Sequence, residues 1–317
     1  MAPPVGVLAK TVALGAFTLG TLGSSFLPSR RPFFDLEEGI IMAEYAAASY
    51  CPAETVGNWT CERCVGRIDG FVPSAVVHDP AWNLQAYVGF EPGRGLLVVF
   101  RGTVEGSLEN WIHNLMTTRT KVKFPGMPKN AKVHDGFYRS WTRSTLKKEI
   151  VEAVRAELHA RDDAEQEDDS PLTVTVVGHS LGGALATLCA TDLVTEENIT
   201  SVRLYTFGCP RVGNEAFARA LQNTTLVHTR VTHDRDVVPT LPFRHLGFHH
   251  TAREVWQRTL RIGRNSMSLS VEIICDGSGE DMFCQNSLCN VPGKCSKIAD
   301  HLEYLGVSLG GDADREC

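Results

Sequence analysis

The chain has 317 residues, of which 43% are hydrophobic and 21% charged. That is enough apolar material for a full core and rules out a disordered or fibrous chain. A formal net charge of −6 also argues against an electrostatic grip on nucleic acid, which requires a basic face.

Residues 1–33 open with one positive charge at Lys10, an apolar stretch from Thr11 to Leu22, and the small residues Gly23, Ser24 and Ser25. This is the order of a secretory signal peptide, and it predicts removal of residues 1–25 and a mature single domain over 26–317. Two other readings stay open. Counted from Val5 to Leu27, the stretch approaches the roughly 20 residues of an uncleaved membrane anchor, interrupted by Lys10. A buried helix would have to carry Gly6, Gly15, Gly20 and Gly23, each unfavourable there.

The ten cysteines, an even number with none among the first 50 residues, read as disulfides formed in an oxidising compartment. The sequons at Asn58, Asn198 and Asn223 agree weakly with secretion and predict a glycoprotein. A zinc site built on Cys61 and Cys64 would need a second C-x-x-C. Cys284, Cys289 and Cys295 do not supply one.

In chain order, residues 36–49 read as a helix, with acidic residues early and small apolar residues later. Residues 84–90 and 96–102 are β-rich runs around Glu91-Pro92-Gly93-Arg94-Gly95, a hairpin signal. An amphipathic segment follows near 105–115. Its residues Leu108, Trp111, Ile112 and Leu115 fall on one helical stripe, the pattern of a surface helix packed on a core. A helix is expected near 145–160, then an acidic solvated connection at 161–169. Strand-like runs at 172–177, 203–208 and 226–233 alternate with helical ones at 181–194 and 215–221. Strands alternating with helices predict an α/β fold with a mainly parallel central sheet flanked by helices.

Gly178-His179-Ser180-Leu181-Gly182 sits where a buried strand gives way to a helix. The pentapeptide fits G-x-S-x-G, a turn that lifts a serine hydroxyl above the sheet and over the free N–H groups of a helix N-terminus. The plainer alternative is an N-capping serine. A nucleophilic serine needs a base and an orienting carboxylate, following in the order Ser, acid, His. Asp234 and Asp236 both lie just past a strand end, and His245, His249, His250 and His301 lie downstream. The residues alone leave the choice among them open. Asp300-His301-Leu302-Glu303-Tyr304-Leu305-Gly306 itself reads as the start of a helix.

From about Phe34 to Cys317 the chain resembles the fungal-type, or class 3, lipases, a variant of the α/β-hydrolase fold. GHSLGGALATL (178–188), FGCPRVGN (207–214), VTHDRDVVPTLP (231–242), FRGTVEGSLENWIHNL (100–115) and DHLEYLG (300–306) carry the resemblance, in the family's order. It implies a serine esterase with Ser180 as nucleophile, Asp236 as acid and His301 as base. Thr103 and the N–H of Leu181 would form the oxyanion site. The match of Glu-Asn-Trp-Ile to the family's lid implies that Leu108, Trp111 and Ile112 belong to a mobile cover, with Gly102 and Gly106 as hinges.

The resemblance further implies a lipid or ester substrate at a lipid–water interface, no cofactor or metal, and no obligate protein partner. It suggests disulfides Cys51–Cys317 and Cys61–Cys64, leaving two bonds of open pairing among Cys275, Cys284, Cys289 and Cys295. Cys189 and Cys209, placed in a core helix and after a core strand, are expected reduced. The chain departs from the family in the form of its Cys275–Cys295 stretch and in Phe243, where a second proline is common. Phospholipase, galactolipase and feruloyl-type carboxylesterase activities stay open on the same scaffold.

Overall fold

The computed structural model describes residues 34–113, 115, 118–162, 172–251, 253–262, 267–289, 294–310 and 317. The signal or anchor segment (1–25, or 5–27) lies outside the described residues, as does most of the acidic connection at 161–169. Among the described residues no helix is long and apolar enough to cross a membrane.

Eight strands form one sheet and lie side by side in chain order: β1 (Val72–Asp79), β2 (Leu84–Glu91), β3 (Gly95–Phe100), β4 (Val174–His179), β5 (Val202–Phe207), β6 (Val227–His233), β7 (Glu254–Ile262) and β8 (Met267–Ile274). Strands β3 to β7 pair in parallel. The margins, β1 with β2, β2 with β3, and β7 with β8, are antiparallel.

Every residue of β3 and β4 is buried, because helices cover both faces of a parallel sheet. Alternation along β3 divides the core. Leu96, Val98 and Phe100 enter one cluster with Trp141, Ile150, Leu185 and Leu188, while Leu97 and Val99 enter the other with Met42, Tyr45 and Tyr304. The first face is thus covered by α3 (Asp135–Arg143), α4 (Leu146–Asp162) and α5 (Leu181–Thr195), and the second by α1 (Leu36–Ala48). Helix α6 (Glu215–Gln222) follows β5, and α2 (Glu105–His113) follows β3. Asp35 starts α1 by accepting from the N–H groups of Glu37 and Glu38 at 3.0 and 3.2 Å.

The helix expected at His301 is absent. A 3-10 turn, Ala299–His301, leads into a small hairpin of Glu303–Tyr304 against Val307–Ser308. Leu305 (φ 52°) and Gly306 (φ 79°) turn that hairpin. Two successive positive φ values suit a two-residue hairpin, and they override the helical look of the sequence.

Disulfides join Cys51 to Cys317, Cys61 to Cys64, Cys275 to Cys284, and Cys289 to Cys295. Cys189 and Cys209 are free and buried.

Candidate active site

Ser180 lies between the last residue of β4 and the first of α5, with φ 58° and ψ −128°. A non-glycine residue avoids that region unless its surroundings enforce it. Here they do so through two glycines. A Cβ at Gly178 would lie 2.2 Å from the Gly182 carbonyl oxygen, and one at Gly182 would lie 2.2 Å from the Phe100 carbonyl oxygen. The Ser180 N–H donates to the Phe207 carbonyl at 2.9 Å, which fixes the turn to β5.

Asp236, in the loop after β6, is fully buried. Its Oδ2 accepts from His301 Nδ1 at 2.8 Å and from the Tyr304 hydroxyl, and its Oδ1 accepts from the Val238 N–H at 2.8 Å. Burial and the adjacent carboxylate push the Tyr304 phenol well above its usual range, so it stays a donor. Gly208 (φ 56°) makes the room for this cluster. A Cβ there would lie 2.8 Å from the His301 ring and 2.9 Å from Asp236 Oδ2.

The other candidates are engaged elsewhere. Asp234 accepts from Arg258 Nη1 at 2.6 Å and from the Thr259 N–H at 3.1 Å. His245 is exposed. His249 Nδ1 bonds the His250 carbonyl at 2.7 Å, and His250 Nε2 donates to the Pro239 carbonyl at 2.8 Å. Burial pushes His250 well below the usual histidine range and keeps it neutral.

Three buried polar atoms around the nucleophile turn make no hydrogen bond: Ser180 Oγ, His301 Nε2 and Thr103 Oγ1. A buried polar atom without a partner is uncommon and calls for an explanation, of which a catalytic role is one. The first turn of α5, beginning at Leu181, adds main-chain N–H groups that have no acceptor within the helix. Together these atoms offer a hydroxyl, a ring nitrogen whose opposite nitrogen is held by a carboxylate, and donors for a developing negative charge.

A second chain of contacts was not legible in the sequence. His179 Nε2 faces the His301 carbonyl at 2.9 Å and therefore carries the proton, so its Nδ1 accepts from the Tyr50 hydroxyl at 2.6 Å. Burial and the neighbouring His301 push the His179 imidazole well below its usual range. Gly102 lies against the same hydroxyl. A Cβ there would lie 2.3 Å from Tyr50 Oη and 2.7 Å from the His179 carbonyl oxygen. Close packing therefore leaves room only for glycine at 102. A Cβ at Gly106 would meet nothing within 4 Å.

Behind Asp236, Arg211 grips Glu280 with two bonds of 2.7 and 3.0 Å and reaches the carbonyls of Thr240 and Pro242. Burial alone would raise the Glu280 carboxyl, but the Arg211 guanidinium overrides it and holds it well below the usual carboxylate range. Gly208 and Arg211 both lie in FGCPRVGN. A glycine directly past a strand end was the one available signal for the first.

The amphipathic segment is helix α2. Leu108 is buried, Trp111 and Ile112 are half-buried, and the Trp111 ring stacks on Phe137 at 6.3 Å.

A family model for class 3 lipases matches residues 97–246, which contain the nucleophile turn, Thr103, the α2 segment and Asp236. The lipase of Rhizomucor miehei is 35% identical over 273 residues; the match covers 84% of this chain and 67%, about two thirds, of that lipase. Secreted mono- and diacylglycerol lipase 1 of Fusarium solani is 30% identical over 279 residues, 86% of this chain and 76% of that protein. Among solved structures, the lipase of Rhizopus microsporus var. chinensis superposes with a TM-score of 0.73 at 30% identity, covering 86% of this chain and 88% of that one. The chain belongs to the class 3 lipase family and has its α/β-hydrolase fold.

Proposed function

We propose that the protein is a secreted serine lipase that hydrolyses acylglycerol esters through an acyl-enzyme on Ser180. The observation that carries this reading is the hydrogen bond that fixes the His301 imidazole on Asp236, with Ser180 Oγ, His301 Nε2 and Thr103 Oγ1 each buried and free of any hydrogen bond.

In the proposed reaction His301 Nε2 takes the Ser180 proton as Oγ attacks the ester carbonyl. Asp236 holds the other ring nitrogen and stabilises the imidazolium. Thr103 and the Leu181 N–H donate to the tetrahedral oxyanion, a contribution of about 2.7–4 kcal/mol for one donor in comparable sites. The imidazolium then protonates the departing glycerol oxygen, and water releases the fatty acid by the same steps.

Secretion is supported by the four disulfides and by the similarity to the secreted lipase of Fusarium solani. Asn58, Asn198 and Asn223 are all exposed, as glycan acceptors must be. Helix α2, with its apolar stripe turned inward, suits a lid that opens at a lipid surface. The test is a turnover panel of triglycerides, partial glycerides, phospholipids, galactolipids and feruloyl esters, with organophosphonate labelling. Acylglycerol preference with the adduct on Ser180 is expected. An adduct on another serine would overturn the assignment.

A further inference from the structure

Phe283 is 88% exposed, the most exposed large apolar side chain among the described residues, and its neighbour Met282 is 46% exposed. Such a side chain is ordinarily explained by a mobile loop, but this loop is braced. The Cys275–Cys284 disulfide closes it. Asp281 accepts from the Phe283 N–H at 2.8 Å and from the Asp276 N–H at 2.9 Å. Glu280, one step before, is buried on Arg211, and Gln285, just after, donates its side-chain amide to the Asp236 carbonyl at 3.2 Å. The Phe283 ring is therefore presented to solvent by a fixed main chain.

Its position matters as much as its exposure. The loop begins beside the middle of β6, where Arg230 donates to the Gly279 carbonyl. Glu280 and Gln285, however, bond Arg211, past the end of β5, and Asp236, past the end of β6. The stretch that carries Met282 and Phe283 is therefore tied to the carboxyl ends of the strands, the end at which Ser180 also lies. Met282 Sδ accepts from Arg244 Nη1 at 3.7 Å, and Arg119 Nη1, on the segment leaving α2, donates to the Gly247 carbonyl at 2.7 Å. One rim thus runs from Arg119 through residues 244–247 to Met282 and its neighbour Phe283.

Resting on the lipase reading above, we propose that Met282 and Phe283 form a rigid apolar anchor that inserts into a lipid surface and seats this rim upon it. The exposed area selects that occupant. One aromatic side chain offers about 150–250 Å², whereas a stable protein partner needs on the order of 1,000 Å². A lipid surface accepts single side chains, each contributing by its own apolar area. Arg244, half exposed beside Met282, would then lie at headgroup level.

The test measures partition of the full chain onto phosphatidylcholine vesicles, alongside hydrolysis of emulsified tributyrin and of a dissolved nitrophenyl butyrate. Phe283→Ser should weaken vesicle binding about tenfold and slow the emulsion reaction, with turnover of the dissolved ester within about twofold of the parent. Phe283→Trp should bind normally, and its emission should shift to the blue when vesicles are added. Unchanged partition of Phe283→Ser, or no shift in Phe283→Trp, overturns the anchor. So does Phe283→Ser converting a dimer to a monomer with vesicle binding intact, which would assign the surface to a second copy. Failure of the parent protein to hydrolyse even the dissolved ester would instead overturn the lipase reading.

Discussion

On one flank of Ser180, Asp236, His301 and Tyr304 are all buried, and the Asp236 carboxylate accepts three hydrogen bonds. Farther back, Arg211 and Glu280 pin the loop that carries Asp236. On the other flank, α2 holds to the body through Leu108, half of Trp111 and the ring of Phe137, while Gly106, Ser107, Glu109 and Asn110 face solvent. The first flank is organised before substrate arrives. The second has little to lose by moving. The interfacial reaction proposed above would draw on both, because electrostatic stabilisation depends on groups that do not reorganise, and access depends on an element of low local stability.

The sharpest way to break this contrast is at its centre. Ser180→Ala and His301→Ala should each lower turnover by about 10⁴-fold or more, and the double variant should lose little beyond either, because such residues act as one unit. Circular dichroism should remain native in all three. Additive losses would mean that the two side chains do not work together.

Next in size is the buried pair behind the acid. Arg211→Met strands the Glu280 charge, and denaturant titration should record a loss of about 3–5 kcal/mol. The pH dependence has a fixed sign. Because the folded Glu280 carboxyl is held below its ordinary value of 4.5, its stabilisation is complete above that value and fades as pH falls through the folded one. The stability difference between the parent and Glu280→Gln should therefore be constant near neutrality and shrink below about pH 4.5. A difference that grows on acidification would contradict the pairing.

Thr103→Val tests the place where the two flanks meet. Steady-state kinetics should show a fall of about 10²–10³-fold in kcat with KM nearly unchanged. Equal losses for a bound ground-state analogue would make Thr103 a binding residue. The smallest effect is expected at the α2 flank. Trp111→Ala should blunt the rise in rate when an ester passes its solubility limit, and change hydrolysis of a dissolved short ester by no more than about threefold. The same saturation curve for parent and variant would show that α2 is no lid.

Much of the rigid flank's scaffold was legible in the sequence. The β-branched run before Gly178 and the small residues after Ser180 mark a strand entering a close-packed helix, and β2, β3, β5 and β6 follow their apolar runs. What was hidden depended on the third dimension. In β7 the adjacent polar residues Gln257, Arg258 and Thr259 blur the period, whereas β8 alternates apolar and polar residues strictly from Met267 to Ile273, a strand signal that was there to be read. The buried partnerships of Tyr304, Arg211 and Glu280 join positions far apart in sequence that carry no local signal. His301 was misread locally, since Leu302, Glu303 and Leu305 look helical until the positive φ of Leu305 and Gly306 is known. That strained turn is steadied by the Leu305 N–H donating to Gln257 Oε1 at 2.8 Å, a contact that sequence spacing does not reveal.

The Cys51–Cys317 bond spans a sequence separation of 266 and turns almost the whole described chain into a covalent ring. A protease that nicks one exposed connection inside that ring, such as residues 125–130, opens it without releasing a fragment, and the nicked protein would migrate as one species until a reductant is added. His301 lies a short way inside the closure, so cleavage between the nucleophile and the base still leaves both on one molecule. An enzyme working outside the cell, among proteases and without repair, would thereby keep its reacting groups together after its first cut.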